Sequence, residues 1–232
     1  MDIKQVLKEN ANPEQAKALQ RFFKTGKGEY GEGDIFLGIK VPEQRKIAEQ
    51  FLHLSSTELQ KLLSSRIHEE RLVSLLILIN KYNLSDEKGK ETIFNLYLSN
   101  TKNINNWDLV DLSAPKIVGE FLKNKDKSIL YKLAKSQNLW EKRISIISTY
   151  AFIKEGKFED TIKISEILLN DSHDLIQKAV GWMLREIGKR DIILLKSFLN
   201  KYSSKMPRTM LRYAIEKLPE KERKLYLSHK SY

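Results

Sequence analysis

Five apolar segments recur along the chain in one helical register, and that recurrence restricts the fold more than any other feature. Arg71-Leu72-Val73-Ser74-Leu75 is echoed thirty-seven positions later by Asp108-Leu109-Val110-Asp111-Leu112. Arg143-Ile144-Ser145-Ile146-Ile147 and Lys178-Ala179-Val180-Gly181-Trp182 continue it at steps of thirty-five, and Thr209-Met210-Leu211-Arg212-Tyr213 follows after thirty-one. Apolar residues throughout are spaced for helices, and period-two alternation is almost absent. Each segment leads into a second, more polar helix. One such pair cannot bury its apolar face alone, so neighbouring pairs must stack into a continuous core.

Helix pairs at a period of about 35–45 residues are the signature of HEAT, armadillo or tetratricopeptide arrays. The expected fold is therefore all-α: a right-handed superhelical α-solenoid of HEAT-like helix pairs, residues 1–232 forming one domain with a concave basic face. A plain helical bundle is the alternative. Local signals set several boundaries. Asn12, Pro13 and Gln15 read as N-cap, first-turn proline and capping partner of a helix through Lys24. Val41 and Pro42 open the next, and Ser55 with Glu58 forms a capping box for another. Between them, residues 25–40 hold five of the ten glycines and must be loop, but not with the spacing of a phosphate-cradling loop.

Composition narrows the partners. Forty-one Lys and Arg against thirty Asp and Glu leave a net charge of +11, which favours polyanions, nucleic acid first. A soluble protein with a Lys-rich face fits the same charge. With no cysteine, disulfides, thiolate zinc sites and cysteine nucleophiles are excluded. His53, His68, His173 and His229 show no ligand spacing, so no metal or other cofactor is expected. Glu69, Glu70, Asp86 and Glu87 read as solvated or helix-capping carboxylates, and Phe22 and Phe23 as core beside a snorkelling Lys24. Neither a secretory segment nor a membrane span is evident, giving an expected cytoplasmic location.

The segment NNWDLVDLSAPKIVGEFL, residues 105–122, is the most informative for chemistry. Asn105 or Asn106 can cap a helix that begins at Trp107, which puts Trp107 and Asp111 one turn apart on one face. Asp111 is a poor mid-helix residue in an apolar stretch. It can face developing positive charge, or it can pair with an arginine or backbone donor of a neighbouring repeat. Trp182 in KAVGWMLRE has Lys178 one turn before it and Arg185 three residues after, a pattern suited to stacking and phosphate contact as well as to packing between helices. Gly181 lets something approach the helix closely. Trp140 reads as packing, with Arg143 the better contact residue.

FLGIKVPEQRK (36–46), the 105–122 segment, LWEKRISII (139–147), KAVGWMLRE (178–186) and MPRTMLRYAIEKLP (206–219) occur in an order and spacing that resembles the AlkD-type DNA alkylation repair family over residues 12–228. The resemblance implies a HEAT-like glycosylase that grips duplex DNA and releases cationic N3- or N7-alkylated purines without flipping them; a repeat array with a DNA cleft is expected to act alone, as a monomer. By position it implies Asp111 as the catalytic carboxylate and Trp107 and Trp182 as the tryptophans beside the lesion. Arg143 matches an arginine needed to engage DNA, with Arg185 and Arg45 at phosphate-contact positions and Lys178 beside them. Two positions depart from the pattern: Asn106 replaces an aromatic of some relatives, and Phe22 an N-terminal tyrosine near the DNA. The glycine-rich loop is also longer. A non-catalytic DNA- or RNA-binding repeat protein and a protein-binding scaffold are the competing readings, and the sequence leaves the lesion range open.

Overall fold

A computed structural model describes residues 2–228; His229 lies outside them. Among the described residues the chain is helical with no strand, and one isolated bridge joins Ile35 to Ile67. All five recurring segments fall on helices. No helix is long and apolar enough to cross a membrane. Packing resolves two compact units, 1–113 and 114–232.

The first unit contains α1 (Ile3–Glu9), α2 (Pro13–Phe22), α3 (Val41–Gln50), α4 (Ser56–Leu63), α5 (His68–Leu84), α6 (Glu87–Leu98) and most of α7 (Trp107–Ala114). Asn12 Oδ1 accepts from Gln15 N at 3.0 Å, the cap expected of it. The α2 helix ends at Phe22, short of Lys24, because Lys24 turns to φ 51°, outside the right-handed helical region. Ser55 and Glu58 form the expected capping box of α4, and Asp86 caps α6 through Gly89 N. The centre is α5, buried on every side from His68 to Ile79 and packed against α1, α3, α4 and α6. A helix with no polar face belongs inside a core.

The charged head of α5 corrects one expectation. Glu69 and Glu70 are buried. Glu69 accepts main-chain N–H bonds from Leu37 at 2.9 Å, Gly38 at 2.8 Å and Ile39 at 3.3 Å. It therefore satisfies the end of the glycine-rich loop, and Glu70 meets Lys4 at 3.1 Å. Gly38 has φ 85°, and a Cβ there would lie 2.1 Å from the Asn12 carbonyl oxygen, so no other residue fits. The loop tip closes on itself: Glu29 accepts from Gly26 N and Glu32 from Gly28 N, both at 2.8 Å.

The second unit continues with a π-helical turn, Pro115–Gly119, where proline removes one backbone donor, and α8 (Glu120–Leu122). It goes on through α9 (Ser128–Ala134), α10 (Leu139–Ser148), α11 (Tyr150–Ile153), α12 (Glu159–Ile167), α13 (Asp174–Gly188), α14 (Ile192–Tyr202), α15 (Arg208–Ile215) and α16 (Glu220–Ser228). Trp140 is buried at the start of α10, as expected. At the centre is α13, packed against α10, α12, α14 and α15. What approaches Gly181 is α15: a Cβ there would stand 2.4 Å from the Met210 carbonyl oxygen and 2.5 Å from Tyr213 Cβ. Gly181→Ala gains about 1 kcal/mol of helix propensity. Overpacking costs about 1–3 kcal/mol, and here the obstacle is main chain, so a net loss of stability is expected in urea unfolding. A gain would mean that α15 moves aside without cost.

Candidate functional site

In the first unit the site grows from the N-terminus of α7. Asn106 supplies the cap, its Oδ1 accepting from Trp107 N at 2.8 Å. Four residues on, α7 carries Asp111, so carboxylate and indole stand one turn apart on one helix, both half-buried. Behind Asp111 is Tyr97, a fully buried phenol whose hydroxyl meets Ser113 Oγ at 2.9 Å. Burial, reinforced by the charge of Asp111, pushes the Tyr97 hydroxyl above its ordinary range. Trp107 is held by rings. Phe23 stacks on it at 5.0 Å and 26°, while Phe22 meets it edge-on at 5.7 Å and 73°. Phe23 is buried as expected, but Phe22 is 62% exposed and is not a core residue. On its edge, the indole Nε1–H donates to the Tyr30 hydroxyl at 3.2 Å.

Beneath these rings lies an ionic bridge. His68, Asp34, Arg71 and Asp108 are all buried. Asp34 Oδ2 meets His68 Nδ1 at 3.2 Å and Arg71 at 2.6 Å, and Asp108 Oδ2 meets His68 Nε2 at 2.8 Å. Phe36 stacks on the imidazole at 4.4 Å. Burial alone would favour the neutral imidazole; the charge and hydrogen bond of Asp108 and the bond to Asp34 prevail, and the pKa rises to about 9. Burial also works against ionising Asp34, yet the His68 bond and the Arg71 charge hold its carboxyl below the usual range. Two anions and two cations thus join the loop, α5 and α7. The remaining residue assigned to this unit, Arg45, is exposed on α3.

In the second unit, α13 presents a half-buried Trp182 between Lys178 and Arg185. Its Nε1–H donates to Glu186 Oε1 at 3.3 Å, and its ring centroid lies 6.3 Å from that of Tyr150, over which Lys154 sits at 5.3 Å. Both flanking cations have carboxylate partners: Lys178 pairs with Asp174 at 2.7 Å, and Arg185 with Glu216. Arg143, expected to meet DNA, is 5% exposed, and its guanidinium donates to the Leu175 carbonyl at the start of α13. The structure therefore brings Arg143 to the same helix as Trp182, largely below its surface.

The model of the DNA alkylation repair enzyme family matches residues 3–218. The chain belongs to that family. A solved structure described as a predicted DNA alkylation repair enzyme from Enterococcus faecalis shares the fold, with a TM-score of 0.70. Identity is 17%, with 91% of this chain and 98% of that one covered, a likeness that speaks to fold alone. No curated protein matches. Family membership makes DNA repair the role of this DNA alkylation repair protein. Its structure adds residues that the sequence reading passed over: Tyr30, Asp34, His68 and Asp108 around Trp107, and Glu186 beneath Trp182. One signal was available. His68-Glu69-Glu70-Arg71 heads a helix with no polar face, so each of these groups needs a buried partner.

Proposed function

We propose that this DNA alkylation repair protein is a glycosylase that hydrolyses the N-glycosidic bond of purines alkylated at N3 or N7 in duplex DNA. The observation that carries the reading is Asp111: a half-buried carboxylate one turn from an indole fixed by Phe23, Phe22 and Tyr30. An N3- or N7-alkylated purine is already cationic. When the C1′–N bond breaks, the bonding pair leaves with the base, which departs neutral and needs no proton. Positive charge then develops on the sugar. A fixed carboxylate stabilises that charge and orients the water that adds to C1′, whose proton passes to the carboxylate or to solvent.

Trp107 offers an electron-rich face to the cationic sugar or base, worth about 0.5–2 kcal/mol, and Trp182 of the second unit offers a face of the same kind to the DNA. The base stays in the stack rather than being flipped. Arg45 and Lys178 take phosphates, Arg185 exchanges Glu216 for one, and Arg143 braces the start of α13 beneath them. The protein acts as a monomer. The test is release of free 7-methylguanine or 3-methyladenine from methylated duplex DNA above the spontaneous rate. Salt-sensitive duplex binding without release would identify a non-catalytic DNA-binding protein instead.

A further inference from the structure

We infer that Tyr30, at the tip of the glycine-rich loop, is a positioning residue for the reaction: its hydroxyl selects one of the two ring-flipped orientations open to Trp107. The inference rests on the glycosylase reading for its kinetic consequence but not for its geometry. The second side-chain torsion of an indole is broad and roughly two-fold, and its two orientations put the six-membered ring and the N–H on opposite sides. Phe23 and Phe22 confine the ring by contact with its face and edge, and neither offers the N–H an oxygen. The bond from Trp107 Nε1 to Tyr30 distinguishes the two orientations. Turning the ring over would leave a half-buried donor without that partner.

A tether works only if its anchor is rigid, and the loop is anchored at its root. Ile35 N donates to the Arg66 carbonyl at 3.0 Å, and His68 N to the Ile35 carbonyl at 2.8 Å. Asp34, four residues from Tyr30, is held by His68 and Arg71, and His68 is held in turn by Asp108, the residue next to Trp107. Tether and indole thus share one buried framework. The loop thereby acquires a purpose, since its tip carries the hydroxyl back to Trp107 across 77 positions of sequence.

Tyr30→Phe removes the oxygen and keeps the ring. The experiment pairs turnover on methylated duplex with the indole N–H resonance of Trp107 in 15N-tryptophan-labelled protein, assigned with Trp107→Phe. The expected result is a shifted Trp107 resonance with faster solvent exchange. Turnover at saturating duplex should fall by about 3- to 10-fold, the effect of one neutral hydrogen bond, with KM within twofold of the parent. A merely structural role would lower stability while leaving that resonance in place. An unchanged resonance and exchange rate would overturn the inference, as would a changed resonance with unchanged turnover. If the parent protein releases no base, the glycosylase reading falls, and the resonance alone still decides whether Tyr30 orients the indole.

Discussion

Asp111→Asn will release 7-methylguanine from methylated duplex DNA about 100- to 1000-fold more slowly than the parent, with duplex affinity preserved. The size follows from what the substitution removes. Asparagine is nearly isosteric and still polar, so the half-buried site on α7 remains filled. It carries no negative charge to place against the sugar cation that forms as the base departs. Losing one preorganised electrostatic partner of the transition state costs about 2.7–4 kcal/mol, and nothing in the ground state offsets that loss. Cationic purines also leave DNA unaided, so the rate must be taken above that background. Equal release by the two proteins would remove Asp111 from the chemistry. Equal loss of binding and release would make its role one of grip rather than catalysis.

His68→Leu will destabilise the first unit by about 3–5 kcal/mol at neutral pH, because it leaves Asp34 buried with Arg71 and takes from buried Asp108 its bond to the imidazole. The same network makes the parent protein pH-sensitive in a predictable direction. In the folded chain His68 holds its proton up to about pH 9, against 6.5 when unfolded. A pKa raised by folding contributes fully below 6.5, and that contribution is lost as pH rises toward 9. The loss is on the order of 3 kcal/mol. His173 does not interfere, since burial lowers its pKa and it titrates on the acid side. Urea unfolding between pH 6 and 9, with hydrogen exchange over α5 reporting the first unit, should show the parent weakening with pH and His68→Leu nearly flat. Parallel curves for the two proteins would mean that His68 is neutral in the fold.

The helices and their caps could be read from the sequence because each is a local matter: a 3.6-residue period, an Asn or Ser three residues before its amide, a proline in the first turn. The pairing of Trp107 with Asp111 was legible for the same reason, being one turn of one helix. What stayed hidden depends on chain separation. His68 looks like an isolated histidine until its partners, 34 and 40 positions away, are brought to it. Gly181 signals close approach but not by what, and only the fold answers α15. Arg143 has the composition of a DNA contact, yet the packing of α10 against α13 turns its guanidinium toward a main-chain carbonyl. Phe22 and Phe23 are identical neighbours, yet the end of α2 between them leaves one exposed and turns the other inward.

The glycine-rich loop has one consequence for how a charged polymer meets this end of the protein. Loops of this composition commonly hold phosphates by offering bare amides. Here the amides of Gly26, Gly28, Leu37, Gly38 and Ile39 are already taken by the protein's own Glu29, Glu32 and Glu69. An arriving sulfate or nucleotide would have to evict a like-charged group before it could dock. Those five amides are thus closed to anions from within, and the exposed side chains that the loop leaves for a passing strand are chiefly Lys24, Lys27 and Lys40 beside Glu29 and Glu32.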